Sequence, residues 1–157
     1  MTYVLVVDDD PVLCELVSYE LEQWGFDVRQ ASDADEAWRE VADRVPDLVL
    51  LDVIMPGDSG LDLLERWRGN AATAAMPVIM LSAKAREHDV ERGFELGADD
   101  YVIKPFSPRE VARRATAITS RRQSALPTLI TQSGAACAGQ PDRRVTRYVT
   151  TWSGTLA

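Results

Sequence analysis

Cysteine and histidine are scarce in this chain of 157 residues, with two of the first and one of the second. Cys14 and Cys137 offer neither a disulfide framework nor a metal-site spacing. Cys14 falls in a helical stretch as a small core or boundary residue, and the lone His88, on a polar helical face, takes no role. Long apolar runs are missing as well, since none approaches the ~20 residues needed to cross a bilayer. The N-terminus enters a strand almost at once, without a basic segment or a cleavage-site pattern, so no export signal is expected. These absences point to the cytoplasm and away from a membrane partner. What is present is ordinary globular material, 46% hydrophobic and 27% charged, of a length that predicts one domain with an appendage.

The formal net charge of −8 is unevenly spread. Residues 1–120 hold 24 acids against 12 bases, whereas residues 121–157 hold five arginines and one aspartate. The acidic body argues against nonspecific nucleic-acid binding by the main domain. The basic tail is a different kind of segment.

Tyr3-Val4-Leu5-Val6-Val7 is a short aromatic and β-branched run, hence a buried strand, and it ends in Asp8-Asp9-Asp10. Pro11 opens a helix with Leu13, Leu16, Val17, Leu21 and Trp24 on one face, and Gly25 stops it. Residues 26–31 alternate and predict a less buried strand at an edge. Asp33 and Glu36 have the spacing of a cap and its reciprocal partner, starting a helix that carries Ala37, Trp38 and Val41 to about Arg44. Residues 47–52 form a continuous apolar run bounded by turn signals, which predicts a strand buried on both faces. Gly60 to Arg68 form a helix with Leu61, Leu64 and Trp67 inward. Residues 77–81 are another buried strand, ending at Ser82. An amphipathic helix from Glu87 to Leu96 stops at Gly97, and a fifth strand, 101–103, ends at Lys104-Pro105. Ser107 and Glu110 have capping-box spacing, so a last helix starts there and runs to about Arg121.

Strand and helix alternate five times, which implies an α/β fold: a parallel sheet with right-handed crossovers and helices on both faces. The least apolar strand belongs at an edge, as in the flavodoxin-like, doubly wound order 2-1-3-4-5. Parallel strands end on one side, so Asp8, Asp9, Asp52, Ser82 and Lys104 meet at a single crevice. Taken singly, Asp52 and Ser82 would be turn or helix caps and Lys104 a solvated surface residue. Four strand ends delivering polar groups to one edge change that reading. Three clustered carboxylates repel one another unless a cation compensates, and a hard ion such as Mg²⁺ suits an oxygen-only cluster without histidine. A carboxylate nucleophile, a hard metal, an ammonium and a hydroxyl are the parts needed for phosphoryl transfer, with Asp52 forming an aspartyl phosphate.

Four stretches carry a specific resemblance: Val6-Val7-Asp8-Asp9-Asp10-Pro11, Leu51-Asp52-Val53-Ile54-Met55-Pro56-Gly57, Leu81-Ser82-Ala83, and Gly97-Ala98-Asp99-Asp100-Tyr101-Val102-Ile103-Lys104-Pro105-Phe106. They resemble the receiver domains of two-component response regulators, over residues 1 to about 122. The resemblance implies that Asp52 accepts phosphate from the phosphohistidine of a sensor histidine kinase. It implies Mg²⁺ on Asp9, Asp52 and the Ile54 carbonyl, with Asp8 acting through water, and a cis Lys104–Pro105 bond. It also implies a switch in which the Ser82 hydroxyl moves toward the phosphate and the Tyr101 ring rotates into the vacated space. Ile54 and Lys84 stand where such domains tune phosphate lifetime, and an apolar Ile54 predicts slow self-hydrolysis.

The stretch 97–110 and the terminal Arg121-Arg122 look like the DNA-binding OmpR/PhoB-type subfamily, which dimerises through helix 4, strand 5 and helix 5. Asp100 and Arg114 match one of its cross-subunit ion pairs, whereas Val90 and Ala117 stand where cations are usual. The expected output is transcriptional. Residues 123–157 are below the ~40 residues that usually fold alone, and are read as a linker or a truncated winged-helix effector. Residues 141–149 faintly resemble that effector's first strands. Two other classes remain open at this point: an Mg²⁺-dependent phosphatase with an aspartyl nucleophile, and a DNA-binding regulator in a longer form. The phosphatases carry a second acid two residues after the nucleophile, where this chain has Ile54.

Overall fold

The computed structural model describes residues 1–83 and 87–125, apart from the side chains of Glu87, His88 and Ala125. The expectations for Lys84, the His88 side chain, Cys137 and the arginine-bearing tail therefore lie outside the described residues. Along the rest, strand and helix alternate throughout: β1 (Tyr3–Val7), α1 (Pro11–Gln23), β2 (Asp27–Ala31), α2 (Ala34–Asp43), β3 (Leu48–Asp52), α3 (Gly60–Arg68), β4 (Val78–Ser82), α4 (Glu87–Glu95), β5 (Asp100–Ile103) and α5 (Pro108–Ala125). The strands make one parallel sheet in the order β2-β1-β3-β4-β5. The alternating strand lies at an edge, as its pattern predicts.

β1, β3 and β4 are buried along their whole length because both of their faces are apolar. Val4, Val6, Leu48, Leu50, Ile79 and Leu81 face α1 and α5, meeting Cys14, Val17, Leu21, Val111 and Ala115. Leu5, Val7, Val49, Leu51 and Met80 face the other layer, against Ala37, Val41, Leu63, Leu64 and Trp67. Each fully buried side chain of this size contributes roughly 1.5–3 kcal/mol, so the central strands, whose tips carry the polar groups, are the best-anchored part of the sheet.

The buried face of α1 differs from the expected one. Cys14, Val17, Ser18 and Leu21 point inward, whereas Leu16 is 54% exposed and Trp24 is 41% exposed. Apolar residues cover more than half of this helix's circumference, so periodicity alone leaves its rotation free. The Asp10 cap sets it: the Asp10 carboxylate accepts from the Val12 and Leu13 N–H groups at 3.0 and 3.3 Å, and the Cys14 thiol donates to the Asp8 carbonyl at 3.4 Å.

Of the two expected capping boxes, one forms in modified shape. Asp33 accepts from the Glu36 N–H at 2.7 Å, but Glu36 reaches back to the Ser32 N–H at 2.8 Å instead of to Asp33. At α5 the Glu110 carboxylate turns forward, accepting from Arg114 at 2.8 Å. At the N-terminal rim of the sheet, Asp47 accepts from the Tyr3 N–H and Asp99 from the Val78 N–H, at 2.8 and 2.9 Å. Arg68 ties α3 to that rim, donating to the Met76 and Gly97 carbonyls at 2.8 and 2.7 Å.

Candidate functional site

Strand register determines which tips meet. Val7 is level with Leu51, Asp52 with Leu81, and Ser82 with Ile103. One step further along β1 stands Asp8, beside Asp52, and one step beyond β5 stands Lys104. Its N–H donates to the Ser82 carbonyl at 2.7 Å. The Lys104–Pro105 bond is cis.

The side chains converge as the backbone directs. Lys104 Nζ lies 2.6 Å from Asp8 Oδ2 and 3.4 Å from Asp52 Oδ1. The other Asp8 oxygen accepts from the Asp10 N–H at 3.0 Å. Asp8 and Asp52 are 2% and 4% exposed, and Ser82 is buried with them, while Asp9 opens to solvent. Ligand oxygens of Asp8, Asp9 and Asp52 all lie within 4.8 Å of one another.

Burial pushes the Asp52 carboxyl from its ordinary 3.8 up to about 6, and the charge on Asp8 adds to this against the opposing pull of Lys104 and the Ile54 backbone N–H. For Lys104, burial disfavours the ammonium, but its hydrogen bond to Asp8 and the charges of Asp52 and Asp8 outweigh that and leave it raised. Cys14 is pushed to about 11 by burial and by Asp8 and Asp10, so it is a protonated, inert core thiol. One ammonium against three carboxylates leaves negative charge in excess. Oxygen ligands alone, closely grouped around such an excess, fit a hard divalent ion such as Mg²⁺.

The remaining candidates lie outside this cluster. Ile54 is 52% exposed in the loop after β3. The Tyr101 ring is buried, packed beside Gly93, and its hydroxyl has no partner among the described residues. Arg114 holds both Asp100 oxygens within the same chain, at 3.0 and 2.8 Å. Val90 packs against the core and Ala117 is exposed. Sequence reasoning placed Gly60 only at a helix start and passed over Ser59, although both bond the Val53 carbonyl just beyond Asp52.

Comparison with known proteins agrees with this geometry. The model of the response regulator receiver domain matches residues 4–116. The phosphate regulon transcriptional regulatory protein PhoB of Pseudomonas aeruginosa is 42% identical over 118 residues, covering 75% of this chain and 52% of that protein. The alkaline phosphatase synthesis transcriptional regulatory protein PhoP of Bacillus subtilis is 44% identical over 125 residues, 80% of this chain and 51% of the relative. The DNA-binding response regulator MtrA of Mycolicibacterium smegmatis is 41% identical over 144 residues, 92% of this chain and 61% of the relative. The chain thus spans about half the length of the first two. Among solved structures, a response regulator of Chloroflexus aurantiacus superposes with a TM-score of 0.72 at 36% identity, covering 76% of this chain and 98% of its own. DrrB of Thermotoga maritima, an OmpR/PhoB homolog, gives 0.70 at 31% identity, with 78% of this chain and 54% of its own covered. These relatives are regulators, not enzymes of the phosphatase class. With the fold, the acidic cluster and the matched span in agreement, the chain belongs to the family of response regulator receiver domains, of the OmpR/PhoB type.

Proposed function

We propose that this chain is the phosphoacceptor of a two-component relay and that Asp52 takes a phosphoryl group from the phosphohistidine of a sensor histidine kinase. The observation that carries this reading is the position of Asp52: a buried carboxylate, 3.4 Å from an ammonium and grouped with two further acids. An Asp52 oxygen attacks phosphorus as the P–N bond breaks, and the imidazole leaves with the bonding pair and gains a proton. Asp9, Asp52 and the Ile54 carbonyl would hold Mg²⁺, with Asp8 reaching it through water, and the ion would neutralise charge on the transferring group. Lys104 supplies a second positive charge and keeps Asp8 in place, and the Ser82 hydroxyl binds a phosphoryl oxygen. Burial raises the proton affinity of Asp52 in the metal-free chain, and Mg²⁺ on that carboxylate would lower it again and keep it ionised at neutral pH. Ile54 offers no group to orient an attacking water, so the acyl phosphate is lost slowly.

The output follows from the same edge. Phosphate draws Ser82 toward it, and the Tyr101 ring responds, changing the face made by α4, β5 and α5, through which the chain forms a homodimer in the cytoplasm. Asp100 and Arg114 already satisfy each other within one chain, and Val90 and Ala117 supply no cation, so the dimer is weak. Because the MtrA match extends over 144 residues, residues 123–157 are read as the start of an effector, and DNA binding belongs to a longer form. Exposure to acetyl phosphate with Mg²⁺ tests the proposal: intact mass gains one phosphoryl group, and Asp52→Asn abolishes the gain. Equal labelling of that variant refutes it. A gel shift by the 157-residue protein would favour the DNA-binding reading.

A further inference from the structure

The first turn of α3 rests on the backbone of the strand that carries Asp52. Gly60 donates its N–H to the Val53 carbonyl at 3.0 Å. Ser59 caps the helix, its hydroxyl donating to that same carbonyl at 3.3 Å and accepting from the Leu61 N–H at 3.2 Å. These bonds close the loop containing Ile54, whose own N–H supports the Asp52 carboxylate. Space is the sharper constraint. A Cβ at Gly60 would lie 2.0 Å from the Asp52 carbonyl oxygen, 2.9 Å from its carbon and 3.2 Å from Leu51 Cγ. The first two are backbone atoms of a strand paired on both sides, so neither can swing aside. Gly60 has no left-handed φ, so conformational freedom does not explain the glycine, whereas Gly57 has such a φ and open space around it.

We propose that Gly60, assisted by Ser59, is a positioning residue for phosphoryl transfer. Its missing side chain lets α3 seat directly on the Asp52 carbonyl, and that seat fixes both the carboxylate and the loop after it relative to Asp8, Asp9 and Lys104. The inference rests on the reading of Asp52 as phosphoacceptor. Since real Cβ contacts stop near 3.0 Å, any side chain at 60 separates helix and strand tip by about 1 Å. A misplacement of that size costs about 100-fold in rate.

The experiment compares Gly60→Ala with Gly69→Ala, at the other end of the same helix, where an added Cβ meets nothing closer than 3.6 Å. Urea midpoints report folding, Mg²⁺ titration followed by amide NMR shifts reports ion affinity, and acetyl phosphate labelling at saturating Mg²⁺ reports transfer. Gly69→Ala stays within twofold of the wild type in affinity and rate. Gly60→Ala loses several-fold in Mg²⁺ affinity and about 100-fold in labelling rate, with shifts at the Asp52, Val53 and Ile54 amides. A folded Gly60→Ala protein within twofold of wild type on both measures overturns the proposal. If that variant does not fold, Ser59→Ala decides, because it loosens the Val53 carbonyl without a clash. Several-fold losses support the proposal, and wild-type affinity and rate overturn it. Failure to label the wild type would count against Asp52 as phosphoacceptor, and the Mg²⁺ affinities of the variants would still decide the positioning claim.

Discussion

Replacing Asp52 by asparagine removes the proposed nucleophile, yet it should make the metal-free protein more stable. The folded chain holds the Asp52 proton up to about pH 6, against 3.8 for an ordinary aspartate. A raised carboxyl pKa means that ionisation works against folding. The penalty is absent below pH 3.8, grows between 3.8 and about 6, and is complete above that. At 1.36 kcal/mol per pH unit of difference, it reaches about 3 kcal/mol at neutral pH. The asparagine side chain has the same size, no charge, and an oxygen still able to accept from the Ile54 N–H. Lys104 keeps its closer partner, Asp8, at 2.6 Å. Urea unfolding in EDTA near neutral pH should therefore show the variant about 1–3 kcal/mol more stable, or up to roughly 10 °C higher in Tm. The advantage should shrink toward pH 4, and added Mg²⁺ should stabilise the wild type more than the variant. A variant less stable than the wild type in EDTA, or an advantage undiminished at pH 4, would refute the reasoning.

Lys104→Met should do the reverse. It strands the buried Asp8 carboxylate, costing roughly 3 kcal/mol in EDTA, and Mg²⁺ should restore part of the loss in urea titrations while phosphoryl labelling stays suppressed. Arg68→Ala removes the hydrogen bonds to the Met76 and Gly97 carbonyls. It should cost about 2 kcal/mol in urea unfolding and leave the acetyl phosphate labelling rate within twofold. The phosphorylated protein, freed of donor and followed by intact mass, should persist for minutes or longer, because apolar Ile54 cannot orient water. A half-life of seconds would contradict that.

Much of the fold was legible because the strands signal strongly. Residues 3–7, 47–52 and 77–81 are apolar on both faces, and only a central position in a parallel sheet accommodates that. Their ends were equally plain, since each apolar run stops at a polar residue, and parallel pairing then forces Asp8, Asp52 and Ser82 onto one rim. Tertiary facts were not legible. The rotation of α1 depends on a cap at Asp10 and a thiol bond to the Asp8 carbonyl, so Leu16 and Trp24 could not be assigned from periodicity. The burial of Tyr101 depends on a glycine eight residues earlier, on a different element. Gly60 marked a helix start in the sequence, and only coordinates reveal how closely the Asp52 carbonyl approaches it.

The last turn of α5 returns to the opposite rim, where Gln123 donates to the Thr2 hydroxyl at 3.3 Å. Thr2 precedes β1, and Asp8 follows it, so six residue steps of extended chain, about 20 Å, separate the two levels. The end of α5 therefore lies at the floor of the domain, and the acidic cluster lies at its roof. On the proposed reading, a charge added at Asp52 is felt at that floor only across the full thickness of the domain, through the helices packed along its flank.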